Sequence, residues 1–296
     1  MKYRTLGSTG LKVSVIGIGT WQLGGEWNKE FAQSEVNAML ARGKELGINL
    51  IDTAECYGDH VSERLIGGAI ERERQDWIIA TKFGHKYHGY LNRTEPRSPQ
   101  DVLQQLDESL RSLRTDYIDI YQYHSWGDAQ FDEPSVLEVL RKAKQQGKIR
   151  HIGNSVGKNT NVHQIEASQE RDIEVIQIIY NRLDRAPEET TFPICQRQNL
   201  GVLARVPLAS GYLSGKYKPG QTFPQGDVRS NQNPEARDAK LREVEQIRQN
   251  ELPRGVDMAT WALAWCLKNP VVSCVIPGCK DVKQVESNAK AADLVE

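Results

Sequence analysis

Short, largely apolar runs recur at residues 15–18, 48–51, 77–80, 117–123, 149–153, 175–179, 202–206 and 272–276. Few of them alternate apolar with polar residues, as expected of strands covered on both faces of a sheet. Ahead of this series, residues 2–6 and 11–13 flank Gly7, Ser8, Thr9 and Gly10, which predicts a hairpin with a glycine-rich turn. Between the runs lie amphipathic segments with helical ends. Ser98, Pro99 and Asp101 supply an N-cap, a first-turn proline and an N-terminal carboxylate. Val102, Leu103, Leu106, Leu110 and Leu113 then form an apolar stripe. The segment after Pro134 repeats the device with Val136, Leu137, Val139, Leu140 and Ala143, and Gly147 stands at its C-terminal stop.

Strand and helix alternate through most of the chain, which predicts βαβ units and a parallel sheet. Eight such runs in 296 residues predict an α/β fold: a (β/α)8 TIM barrel with an N-terminal β-hairpin and extra helices, one domain spanning 1–296. The competing architecture, a doubly wound open sheet, lacks the GxGxxG that would open its first helix. Residues 83–97 and 208–233 interrupt the rhythm as loops after the third and seventh strands, where barrel enzymes shape specificity. Residues 234–268 carry two helical patterns before the last strand.

The chemistry gathers at strand ends. The second, third and fourth strands lead to Asp52, Lys82 and His124, with Tyr57 five positions after Asp52. In a parallel barrel these groups converge on one mouth. Singly, each has a plainer reading: a turn carboxylate, a snorkelling lysine, a loop histidine, a packed tyrosine. Together they form proton-transfer machinery. An ammonium about 4 Å from a phenol is worth roughly 4 kcal/mol to the phenolate at an effective dielectric of ~20, or roughly 3 pK units against burial. Lys82 is therefore expected to bring Tyr57 into range for protonating a carbonyl oxygen, with Asp52 keeping Lys82 charged and His124 orienting the substrate. None of these groups is a hydride source, so a redox cofactor is required.

A formal net charge of −1 offers no electrostatic reason for nucleic acid or an anionic membrane as partner. Five cysteines without a CxxC pair fit a reduced, cytoplasmic setting, and residues 1–10 lack the apolar stretch of a secretory signal. No apolar run approaches the ~18 residues of a membrane span. His85 and His88 have H-x-x-H spacing but no third ligand, so no metal is assigned. Cys56 reads as a buried inert thiol, Trp261 and Trp265 as core, and the charged stretches 71–74 and 242–248 as solvated helix faces. Trp21 and Trp126, just past strand ends, are candidate substrate-pocket walls.

The stretches YRTLGSTGLKVS, GINLIDTAECYG, IIATKFG, DYIDIYQYH, IRHIGNSV, VIQIIYN, PLASGYLSGKY and CVIPGCKDVKQVESN resemble the aldo-keto reductase superfamily from end to end. The subgroup is similar to bacterial members and to the β subunits of voltage-gated potassium channels. The resemblance implies a barrel that binds an extended nicotinamide dinucleotide, usually NADPH with NAD possible, and reduces a small carbonyl substrate. It assigns Tyr57 as acid, Lys82 and Asp52 as its partners, and His124 to the substrate. Gly19, Thr20 and Trp21 fall beside the nicotinamide. Ser155 and Gln177 match the carboxamide contacts; Leu208, Gly211, Leu213, Gly215 and Lys216 match the pyrophosphate loop; Gly278, Lys280, Gln284 and Asn288 fall at the adenosine end, with Lys283 nearby. Two positions depart from the family pattern. Val156 replaces an asparagine, and Arg205 stands where many members stack a tyrosine on the nicotinamide. Two other readings stay open: a cofactor-sensing regulatory subunit, and an aldolase using Lys82 as a Schiff-base nucleophile. Oligomeric state is not legible.

Overall fold

The computed structural model describes residues 1–225 and 227–295; positions 226 and 296, within the expected loop 208–233 and the expected domain, lie outside the described residues. The chain opens with an antiparallel hairpin, β1 (Tyr3–Thr5) and β2 (Lys12–Ser14), in the register Tyr3 to Ser14. Strands β3 (Ile18–Gly19), β4 (Leu50–Asp52) and β5 (Ile78–Phe83) follow. A small antiparallel hairpin, β6 (Lys86–Gly89) and β7 (Asn92–Thr94), lies inside the expected loop 83–97. Then come β8 (Ile118–His124), β9 (Ile149–Ser155), β10 (Ile173–Ile179), β11 (Gly201–Arg205) and β12 (Cys274–Val275).

The sheet order β3-β4-β5-β8-β9-β10-β11-β12 is parallel throughout, so all eight expected runs pair as neighbours. The last strand meets the first. Gly17 N–H donates to Val275 O at 2.8 Å, Val275 N–H to Val15 O at 3.0 Å, and Gly19 N–H to Pro277 O at 2.9 Å. This seam requires glycine, because a Cβ on Gly19 would lie 2.6 Å from Ile276 O. The hydrogen-bonded ring of a (β/α)8 barrel is thereby complete.

Inside the ring, Leu50, Ala80, Ile120, Val175, Leu203 and Cys274 form one apolar cluster, with Leu6 and Val13 of the N-terminal hairpin packed into it. Burying each such Leu or Ile contributes roughly 2 kcal/mol. A larger apolar layer lies between strands and helices. The helix Pro99–Ser112 starts on the expected cap: Asp101 N–H donates to Ser98 Oγ at 3.1 Å and Ser98 N–H to Asp101 Oδ2 at 3.0 Å. Val102, Leu106 and Leu113 of its stripe are buried, whereas Leu103 is exposed, one position off the buried face. Gly147 adopts φ 76° after the helix Pro134–Gln145, the left-handed stop that glycine tolerates best.

The stretch 71–74 is not wholly solvated. Arg74 is buried, donating to Trp77 O at 2.7 Å and Tyr117 O at 3.0 Å and pairing with Asp119 at 2.7 Å. The two late helices are Pro234–Asn250 and Met258–Leu267. On the first, only Val244 and Ile247 of the stretch 242–248 are buried. Among the described residues no helix is long and apolar enough to cross a membrane.

Candidate active site

Side chains on a strand repeat their direction every second residue. Two positions beyond the apolar ring, the same strands therefore present Asp52, Lys82, Gln122, Gln177 and Arg205. Lys82 Nζ lies 2.9 Å from Asp52 Oδ2, 2.7 Å from Thr53 O and 3.3 Å from Tyr57 Oη. An ammonium has three N–H groups, and all three are used. Asp52 Oδ1 in turn accepts from Gln177 Nε2 at 2.6 Å and from Gln122 Nε2 at 3.5 Å. Ser155 Oγ donates to Gln177 Oε1 at 3.4 Å.

The field inside this cluster differs from the expectation for Tyr57. Burial pushes its phenol up to about 12, and the attraction of Lys82 only partly opposes this because the Asp52 charge works against it. The phenol is thus a firmly held proton at neutral pH and not a partly formed phenolate. Burial disfavours the Lys82 ammonium, but Asp52 and Tyr57 outweigh it and raise its pKa. A lysine held so firmly charged is a poor amine nucleophile, which counts against the Schiff-base alternative. The His124 ring stands edge-on to Tyr57 with centroids 6.4 Å apart. Burial, and then His85, Lys82, Arg205 and Arg93, keep its imidazole well below the usual range and therefore neutral.

Tyr57, Asp52, Gln177 and Arg205 reach one end of a cavity of about 600 Å³, a size typical of sites for cofactors and other small ligands. Gly19, Thr20 and Trp21 form its wall there, and Leu208, Gly211, Lys216, Gly278, Lys280, Gln284 and Asn288 line it further along. Lys82 lies buried against Tyr57, and the His124 side chain, partly exposed, stands beside the Tyr57 ring. Several expected contacts fall elsewhere. Ser155 lies under Gln177, Leu213 is fully buried in a cluster with Tyr212 and Trp261, and Gly215, at φ 73°, turns the chain against Met258. Trp126 does not line this cavity. It is 2% exposed, packed edge-on against Phe83 and Tyr123 at 5.5 and 4.9 Å, with the Arg97 guanidinium 5.1 Å from its ring. Of the H-x-x-H pair, His88 bonds to Thr94 Oγ1 at 2.7 Å on the small hairpin, and His85 packs edge-on to His124 at 4.7 Å. All five cysteines are buried thiols.

The two departures from the family pattern touch each other. Arg205 Nη2 donates to the carbonyl of Val156 at 3.1 Å, and Arg205 Nε finds no partner among the described residues.

Sequence reading missed Gln22, Trp27, Tyr217 and Arg229, all of which line the cavity. Arg229 pairs with Asp227 at 2.6 Å and lies over the rings of Phe223 and Tyr217, 4.3 and 4.7 Å from their centroids. It comes from a stretch with no local motif, and only chain folding carries it over the cavity. Gln22 packs on the backbone of Gly278, where a Cβ would lie 2.2 Å from its Nε2.

The cavity suits an extended anionic dinucleotide. Lys216, Arg229, Lys280 and Lys283 supply cations along it, Trp21 and Trp27 supply rings, and three buried polar atoms beside it, Gln22 Oε1, Trp27 Nε1 and Arg205 Nε, lack partners among the described residues.

Residues 15–296 match the aldo/keto reductase family. A solved aldo-keto reductase from Bacillus halodurans, in its holo form, superposes with a TM-score of 0.81 at 32% identity, covering 99% of this chain and 91% of that one. An NADH-specific methylglyoxal reductase from Escherichia coli is 30% identical, over 99% of this chain and 94% of its own. A probable voltage-gated potassium channel subunit beta from Arabidopsis thaliana is 29% identical, over 100% of this chain and 92% of its own. The chain belongs to the aldo/keto reductase family and is an oxidoreductase of carbonyl compounds that uses a nicotinamide cofactor.

Proposed function

We propose that this chain, a single reductase domain, is an NADPH-dependent enzyme that reduces aldehydes and ketones to alcohols, reversibly, with Tyr57 as proton donor. The observation that carries this is the Tyr57 phenol, at the wall of the large cavity and 3.3 Å from an ammonium that Asp52 holds charged. The bound cofactor supplies the hydride. Tyr57 keeps its proton until negative charge develops on the substrate oxygen, and Lys82 then stabilises the phenolate left behind. Neutral His124 donates a hydrogen bond to the same oxygen. Trp21, whose Nε1 is fixed by Glu26 Oε2 at 2.7 Å, walls the substrate space.

Gly19, Thr20, Gln177 and Arg205 hold the nicotinamide end, Ser155 acting through Gln177. Leu208, Gly211 and Lys216 hold the pyrophosphate, and Gly278, Lys280, Gln284 and Asn288 the adenosine. The preference for NADPH rests on Lys280 and Lys283; the nearby Asp281 carboxylate is engaged as the cap of the helix Val282–Ala289, 2.8 Å from Gln284 N, and Asp227 on Arg229 at 2.6 Å.

The test is a panel of aldehydes and ketones assayed with NADPH and NADH side by side, in the unaltered protein and in Tyr57→Phe. Loss of one general acid should lower turnover by about 10³-fold with cofactor affinity unchanged. Substantial turnover in Tyr57→Phe ends the assignment, and equal or better use of NADH ends the cofactor preference.

A further inference from the structure

Behind His124 lies a pair of buried groups that the proposed chemistry leaves idle. Glu55 is 2% exposed and Cys56 is 1% exposed. Glu55 Oε1 accepts from His85 N–H at 2.9 Å, whereas Oε2 has no hydrogen-bond partner among the described residues. That free oxygen stands 3.9 Å from His124 Nδ1, and Cys56 Sγ stands 3.8 Å from the same nitrogen. The carboxyl contact is too long to be a hydrogen bond as it stands; closing it gives Oε2 the partner it lacks. Nδ1 is thus the nitrogen turned toward Glu55 and Cys56, leaving Nε2 as the one free to meet substrate.

A neutral imidazole has one N–H and one lone pair, and a bond made by one nitrogen decides the state of the other. For Nε2 to donate to a substrate oxygen, Nδ1 must be an acceptor. We propose that Glu55, with Cys56 beside it, is a positioning residue that keeps the His124 proton on Nε2, and that ionisation of Glu55 moves it to Nδ1 and switches the donor off. This rests on the reading of His124 given above.

The surroundings hold both neighbours in their donor forms. Burial, with Glu55 adding to it and the neighbouring Arg93 and Lys82 opposing, pushes the Cys56 thiol far up, so it meets Nδ1 as S–H. Burial pushes the Glu55 carboxyl up to about 8; the His85 N–H bond opposes this, Glu63 from the helix Val61–Ile70 adds to it, and Lys82 from β5 opposes it. His124 itself is neutral. Glu55 and His85 also line a small cavity of about 70 Å³ beneath the helix Pro99–Ser112, edged by the charged or titratable Asp59, His60, Lys86, Asp101 and Glu108. No lining residue is shared with the larger cavity. Glu55 can therefore release its proton to water there while the larger cavity is filled. The carboxylate left behind only accepts, so it favours a proton on Nδ1 and leaves Nε2 as a lone pair facing an electron-rich oxygen. The exchange involves protons alone.

Long-range proton–nitrogen NMR of the full-length protein reads the tautomer directly, with the His124 signals assigned by their loss in His124→Gln. At about pH 7 Nε2 should carry the proton, and by about pH 9.5 the population should shift to Nδ1. In Glu55→Gln, whose amide still donates but does not titrate, the tautomer should stay unchanged over that range. The ratio of reduction rates at about pH 9.5 and 7 should then rise by roughly tenfold over the unaltered protein. A proton already on Nδ1 at neutral pH, or the same alkaline shift in Glu55→Gln, overturns the proposal. The spectra need no turnover, so a protein inactive on every carbonyl would defeat the proposed function and leave this result standing.

Discussion

Two adjacent layers of the barrel interior make opposite use of the same backbone. Leu50, Ala80, Ile120, Val175 and Leu203 fill the lower one with apolar side chains. Two residues along each of those strands, about 7 Å higher, stand Asp52, Lys82, Gln122, Gln177 and Arg205. The lower layer is held by burial, which needs no particular partners. The upper one survives burial only through named partners: Lys82 on Asp52, Thr53 and Tyr57, and Asp52 on Gln177. Where partners run out, at Arg205 Nε, the layer opens onto the large cavity. The contrast shows that the strands set where groups stand, and that the difference between core and site lies in whether the polar accounting closes.

Breaking the upper layer should cost most. Lys82→Met leaves Asp52 buried without its cation, and the expected loss is about 3–5 kcal/mol of stability, seen in urea denaturation, together with nearly all reductase activity. Near-normal stability would mean that Asp52 is solvated or protonated. Ile120→Ala in the lower layer should cost about 2–4 kcal/mol while kcat of the folded protein stays within a few-fold; a collapse in kcat would show that the two layers are mechanically one.

A third measurement uses pH. Burial raises the Glu55 carboxyl to about 8 in the folded chain, from an ordinary value of 4.5, so the folded state binds the proton more tightly than the unfolded one. Its contribution to stability is complete below the unfolded pKa and is lost as pH rises through the folded one. Denaturation of Glu55→Gln against the unaltered protein should therefore show the variant gaining about 1 kcal/mol per pH unit across that window. A pH-independent difference would place the Glu55 pKa near its ordinary value. Smallest of all, Gln122→Met removes a 3.5 Å contact to Asp52. It should change stability by less than about 1 kcal/mol; a larger loss would make Gln122 a principal support of Asp52.

Much of this was legible beforehand because it is local. Strand runs, the Ser98 cap and the Gly147 stop depend on neighbours in sequence, and all appear where the pattern put them. The small hairpin of β6 and β7 did not, since its residues are mostly polar and give no alternation to read. Leu103 and Arg74 were misplaced for a related reason: a stripe shows periodicity but not its edges, and a charged run does not reveal a buried carboxylate such as Asp119 waiting across the chain. Trp126 shared its rule with Trp21, a tryptophan after a strand end, yet it turned into the aromatic cluster around Phe83. Strand ends locate a residue without saying which way its loop folds.

From sequence alone came the barrel, the four polar groups at its mouth and, through family resemblance, about half of the cavity lining. Folding decided what those groups are worth. Tyr57 has a raised pKa and not a lowered one, because burial, with Asp52 adding to it, outweighs an ammonium 3.3 Å away. Arg229 and Gln22 reached the cavity from stretches without a motif, and Glu55 came to rest behind His124. Electrostatics in a buried site sums over every charge that the fold brings near, and those distances exist only once the chain has closed on itself.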